Sequence, residues 1–120
     1  MLGLMQRHEL LVSSIIRFAA RQHPRGEVVS RTTEGETHRT DYAAIERRAR
    51  RLARALARLG VGDAERVGTL AWNGFRHLEI YYAVSGMGAV CHTINPRLSD
   101  DDLAYIIGHA EDRVLFADTT

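Results

Sequence analysis

From Asp41 onward the apolar residues of this chain switch between two periods, and that switching restricts the folds open to it. Across Asp41 to Leu59, Ile45, Ala49, Leu52, Leu56 and Leu59 recur at three- and four-residue spacing, which predicts a helix with one buried stripe. Thr40 or Asp41 is placed to cap it, and Gly60 stands where a left-handed C-terminal residue belongs. Arg66 to Trp72 is then a short apolar run with Val67, Leu70 and Ala71, read as a buried strand that Asn73-Gly74 breaks. Phe75 to Met87 reads as a second helix with Leu78, Tyr81, Tyr82 and Val84 toward a core. Ala89 to Ile94 reads as a strand stopped by Asn95-Pro96, Ser99 to His109 as a third helix, and Arg113 to Ala117 as a last strand. Helix alternating with strand three times predicts α/β architecture with a mostly parallel sheet and right-handed crossovers.

Upstream, Glu9 to His23 reads as a helix with Leu10, Leu11, Ser14, Ile15, Phe18 and Ala19 on its apolar face, ended by Pro24 and Gly26. Glu27 to Thr32 and Glu36 to Thr40 read as two short strands, and Glu34-Gly35 between them is a turn signal, so a β-hairpin is expected. The chain thus divides into an N-terminal helical segment (1–26), a hairpin (27–40) and α/β units (41–118). It shows no repeat of fixed period and no low-complexity tract.

A length of 120 residues with 45% apolar and 26% charged residues suits one domain or part of one. A net charge of +1 gives no global pull toward nucleic acid or membrane, and no nucleic-acid partner is expected. All 16 cationic residues are Arg. The lone Cys91 cannot form an internal disulfide, and a reducing compartment is the simpler reading. Met1 to Met5 are apolar, yet no basic region precedes them and Glu9 interrupts the run, which argues against a signal peptide. Ile80 to Asn95 is nearly uncharged but falls short of the roughly 20 residues of a membrane span. A cytoplasmic location without a transmembrane segment is expected.

Several clusters invite a chemical reading. Asp100, Asp101 and Asp102 are consecutive on a helix, about 100° apart, so they do not converge on one metal ion; a helix N-terminus accounts for them. Arg47, Arg51, Arg54 and Arg58 form one stripe, which reads as a solvated face or as a site for anions, with Glu46 and Arg50 as an ion pair beside it. Gly86-Met87-Gly88 ends a helix and opens a strand, the reverse of a dinucleotide-binding loop, so a C-cap or close helix–sheet packing explains it better. The six histidines show no H-E-x-x-H pattern, Ser85 has no G-x-S-x-G elbow, and Cys91 reads as an inert strand residue. No metal site and no catalytic residue emerge from this reading.

The stretch Thr69-Leu70-Ala71-Trp72-Asn73-Gly74-Phe75-Arg76-His77-Leu78-Glu79 is more specific than any periodicity, as is its continuation Ile80-Tyr81-Tyr82-Ala83-Val84-Ser85-Gly86-Met87-Gly88-Ala89-Val90. With His92 to Leu98, His109-Ala110-Glu111-Asp112, the Tyr42 helix ending Leu59-Gly60-Val61, and the opening Leu10 to Ile16, it resembles the N-terminal region of medium- and long-chain fatty-acid–CoA ligases. These belong to the AMP-forming adenylating enzymes. The resemblance covers nearly the whole chain.

It implies the N-terminal part of an AMP-binding domain, 1–120, in a longer enzyme. That enzyme would join ATP and a fatty acid into an acyl-adenylate, releasing pyrophosphate, and then pass the acyl group to coenzyme A with loss of AMP. Mg²⁺ and basic residues would neutralise the phosphate charge. The family's Ser/Thr/Gly-rich phosphate loop ending in Lys-Gly does not occur among these residues, and with no Lys present the family's catalytic lysine has no counterpart. No catalytic, cofactor-binding or metal-binding residue is therefore carried over, and the 120 residues alone are expected to be inactive. Trp72 and Asn73, at the C-terminal end of a strand, are the candidates for pocket lining, with a turn after a strand as the competing reading. The expected partners are the rest of the ligase chain and a second copy of the protein. A non-catalytic module that self-associates or docks on a partner is the alternative.

Overall fold

The computed structural model describes residues 3, 4 and 6–119. Met1, Leu2 and Met5, on which the reading against a signal peptide partly rests, lie outside the described residues, as does Thr120. The chain runs α1 (Val12–Gln22), β1 (Glu27–Arg31), β2 (Thr37–Asp41), α2 (Tyr42–Arg58), β3 (Arg66–Leu70), α3 (Phe75–Gly86), β4 (Val90–Ile94), α4 (Asp100–Ala110) and β5 (Val114–Ala117).

The expected hairpin and parallel sheet both form. β1 and β2 pair antiparallel, with Glu27 opposite Asp41 and Arg31 opposite Thr37. β3 is the middle strand of a second sheet in the order β4-β3-β5, parallel to both neighbours. Val67 lies opposite Cys91 on one side and Val114 on the other.

Side chains cap the N-termini of α2 and α4, whereas Leu11 and Gly74 leave α1 and α3 without a side-chain cap. Asp41 caps α2, its Oδ1 accepting from Ala44 N at 2.7 Å. Ser99 caps α4, its Oγ accepting from Asp102 N at 3.2 Å. Gly60 has φ +85°, a backbone region that L side chains rarely adopt, and it ends α2.

Two clusters hold the molecule together. Leu56, Val61, Val67, Ile80, Val84 and Ala89 join α2 and α3 to one face of the parallel sheet. Ile16, Ile45 and Phe75 join α1, α2 and α3, with Val28 of the hairpin and Tyr42 packed against them. Each fully buried Leu or Ile contributes about 1.5–3 kcal/mol of hydrophobic stabilisation. An ion pair also crosses α2 and α3: Arg48 Nε donates to Glu79 Oε1 at 2.6 Å, and Glu79 is buried.

Three expectations about burial fail. In α1 the helix begins at Val12 rather than Glu9, and its inward residues are Ser13 and Ile16. Leu10, Leu11, Ile15 and Phe18 are exposed, and of the expected face only Ala19 packs on the core. The docking of α1 on α2 and α3 selects a narrower face than the apolar periodicity suggested. Tyr81 and Leu59 are exposed as well, because Ile80, Ala83 and Val84 take the sheet-facing side of α3 and Leu56 closes the last turn of α2. α4 has no buried residue at all.

Candidate functional site

A cavity of about 250 Å³ opens at the C-terminal ends of β3 and β5. Its floor is apolar, from Leu52, Phe75, Ile80 and Phe116. Its rim is polar: Thr32, Thr33 and Arg31 come from the end of β1 and its turn, Arg76 and His77 from the first turn of α3, and Asp118 from beyond β5. The parallel sheet produces this arrangement, because both strands point the same way and release their loops at one edge.

Trp72 and Asn73 occupy the loop between β3 and α3 and border this cavity. Asn73 also borders two shallower depressions beside it. Both residues are exposed. The Trp72 backbone N–H donates to Asp118 Oδ2 at 2.9 Å, tying the exit of β3 to that of β5. The Arg97 guanidinium lies 5.5 Å from the Trp72 ring centroid, which adds a cation–π contact from the segment after β4.

The cations at the rim are unevenly engaged. Arg76 Nη1 donates to Glu34 Oε1 at 2.9 Å, joining α3 to the hairpin turn. Hydrogen bonding to its own backbone N–H, to the turn's threonine hydroxyls and to Arg76, in that order of weight, holds the Glu34 carboxyl down at about 2 from the usual 4.5, and Thr33 Oγ1 lies 3.4 Å from its Oε2. Phe75 is stacked against His38 at 3.8 Å between centroids, and the Arg76 guanidinium covers it at 5.3 Å. His77 Nε2 meets Thr69 Oγ1 at 3.0 Å. Thr69 is fully buried, so its hydroxyl is closed to a substrate. The cavity can hold an apolar or aromatic fragment with a polar end at its rim. It does not bring an accessible nucleophile and a base together.

The other clusters are placed as follows. Asp100, Asp101 and Asp102 occupy the first turn of α4, and among the described residues no group of three His, Cys, Asp or Glu is gathered as a metal would need. Arg47, Arg51, Arg54 and Arg58 are all exposed on α2, and Arg50 pairs with Glu46 beside them. Cys91 is half-buried, and burial pushes its thiol up. No described helix is long and apolar enough to cross a membrane.

Sequence reasoning missed a half-buried polar pair on the other face of the sheet. Asp112, whose side chain is fully covered, accepts from His92 Nδ1 at 2.8 Å. The pair lies over Gly68, whose added Cβ would stand 2.9 Å from the Asp112 carboxylate. A glycine inside the β3 run was the available signal, since it marks close approach of another group.

The AMP-binding enzyme family matches residues 16–120.

The chain belongs to the AMP-binding enzyme family.

Members similar to it are CoA ligases by name. It is 57% identical to the 3-methylmercaptopropionyl-CoA ligase of Ruegeria lacuscaerulensis, over 100% of this chain and 22% of that protein. It is 52% identical to the medium-chain-fatty-acid–CoA ligase of Ectopseudomonas oleovorans over the same shares, 100% and 22%. Against the long-chain-fatty-acid–CoA ligase of Thermus thermophilus it is 55% identical over 95% of this chain and 21% of that protein. The chain therefore spans about a fifth of the length of these AMP-binding relatives. Among solved structures, the N-terminal domain of FACL13 from Mycobacterium tuberculosis superposes with a TM-score of 0.81 at 25% identity, over 91% of this chain and 27% of that one. The Mycobacterium tuberculosis fatty acyl CoA synthetase gives 0.79 at 25% identity, over 89% and 21%. The α/β fold with its parallel sheet is the fold of an N-terminal adenylating-domain segment.

Proposed function

We propose that this chain is the N-terminal portion of an ATP-dependent fatty-acid–CoA ligase. The carrying observation is identity of 52–57% to named CoA ligases along 95–100% of the chain. The reaction would convert fatty acid, ATP and coenzyme A to acyl-CoA, AMP and pyrophosphate through an acyl-adenylate. Adenylation turns the carboxylate oxygen, a poor leaving group, into the better leaving group AMP.

This segment supplies scaffold to that reaction. α2, α3 and the parallel sheet hold the edge that carries Trp72 and Asn73, while phosphate and metal handling belong to other parts of the enzyme. The apolar cavity floor supports assigning Trp72 and Asn73 to pocket lining. Trp72→Ala is then expected to raise KM for the acyl substrate several-fold with little change in kcat.

The full-length enzyme should form AMP and acyl-CoA in equal amounts when given ATP, Mg²⁺, coenzyme A and a fatty acid, followed by chromatography. Release of ADP, or no thioester with any of butanoate, octanoate, palmitate or 3-methylmercaptopropionate, overturns the proposal. Residues 1–120 alone should release no pyrophosphate.

One observation favours a second reading, a non-catalytic module that self-associates or docks on a partner. Leu11, Ile15 and Phe18 of α1 are exposed large apolar residues. Light scattering on the isolated segment should then show oligomers, and a stable monomer counts against this reading.

A further inference from the structure

α2 carries most of its positive charge on the side turned away from the other described elements. Ile45, Ala49 and Leu56 point into the core. At about 100° per residue, Arg47, Arg51, Arg54 and Arg58 cluster on the opposite side, within roughly 60° of one another. All four are exposed. Among the described residues, ion pairs engage the flanking Arg48 and Arg50 and none engages these four. Ala55 and Ala57, also exposed, fill the space around them, and no carboxylate interrupts the row.

That pattern works against the helix. A solvated face is stabilised by opposite charges at i,i+4 spacing and weakened by like charges there. Arg47 with Arg51, Arg50 with Arg54, and Arg54 with Arg58 are like pairs at this spacing. An anionic surface laid along the row turns this repulsion into attraction.

We infer that this row seats the enzyme on an anionic phospholipid surface, each guanidinium meeting headgroup phosphates. At 1.5 Å per residue the row is about 16 Å long and straight, so its members reach one plane together. The guanidinium fork matches phosphate oxygens. The chemistry of the face favours lipid over other polyanions. It has no aromatic ring on which an unpaired base could stack, and no Asn or Gln to read a base edge. It has no apolar anchor of the kind a protein partner would grip. A plane of phosphates requires none of these. The apolar side of α2 stays in the core, so the contact is electrostatic and screened by salt.

The test is co-sedimentation of the full-length protein with phosphatidylcholine vesicles, with and without phosphatidylserine, at low and high salt. Binding is expected only with phosphatidylserine and only at low salt. R51Q/R54Q should weaken it roughly tenfold or more, whereas R7Q/R21Q, which removes equal charge from exposed positions on and before α1, should change it less than about twofold. R51K/R54K keeps the charge and should retain most of the binding, which separates lost charge from lost folding. No binding to phosphatidylserine vesicles overturns the inference. So do equal losses in the two glutamine variants, and so does tighter binding to a single-stranded RNA oligomer or an acidic peptide than to the vesicles.

Discussion

Glu34 shows how an exposed residue can still be held in one state. Hydrogen bonding from the turn, chiefly its own backbone N–H, and from Arg76 stabilises its charged form and lowers its pKa to about 2. A depressed carboxylate adds stability above its ordinary pKa and loses it as the pH falls through the depressed value. The Glu34 contribution is thus present at neutral pH and disappears between 4.5 and about 2. Carboxyl carbon NMR should place its titration near the lower value. Arg76→Gln should raise that midpoint only in part, because the backbone bond is the larger cause. Gly68 is a different case, governed by space. A methyl group there would press on Asp112 and on Leu115 at 2.9 Å each. Gly68→Ala is expected to cost about 1–3 kcal/mol and to lower the unfolding midpoint in a denaturant titration. No feature of the sequence pairs His92 with Asp112, since their meeting depends on β4 and β5 flanking the same strand.

At the scale of elements, local chemistry was legible at the ends of α2 and the start of α4. Asp41, Ser99 and Gly60 cap or end their helices as their residue types demand. Asp41→Ala is expected to destabilise α2 by about 1 kcal/mol, with Asp41→Asn much milder, as far-ultraviolet circular dichroism during thermal unfolding would show. The face of a helix was less legible. In α1 the apolar residues outnumber the places available, and contact with α2 and α3 settles the matter in favour of Ser13 and Ile16. In α3 a carboxylate, Glu79, is buried because Arg48 on a neighbouring helix reaches it. Such pairing joins residues far apart in sequence, where periodicity carries no information. The cavity bordered by Trp72 and Asn73 was legible only as a strand end. Its hairpin wall and its Arg76 to Glu34 tie come from tertiary packing.

Across the whole molecule, burial is concentrated around β3. Val67 and Thr69 are fully buried, while α4 lies at the periphery with no buried residue. Stability should be graded accordingly. Amide hydrogen exchange is expected to be slowest in β3 and the middle of α2, and fastest in α4 and at the N-terminus of α1. Protection in α4 equal to that in β3 would contradict this gradient. Charge is also sorted by element, with arginines crowding α2 and three aspartates opening α4, although the chain as a whole is nearly neutral.

The central place of β3 has a consequence for synthesis. Both of its partners come later in the chain, first β4 and then, after α4, β5. A ribosome adding roughly 5–20 residues per second exposes β3 for seconds before its second edge can be covered. During that interval its open edge is a template for pairing with another nascent chain. Chaperone binding or codon-dependent pausing ahead of β5 should therefore alter the yield of folded enzyme more than the same change placed after it.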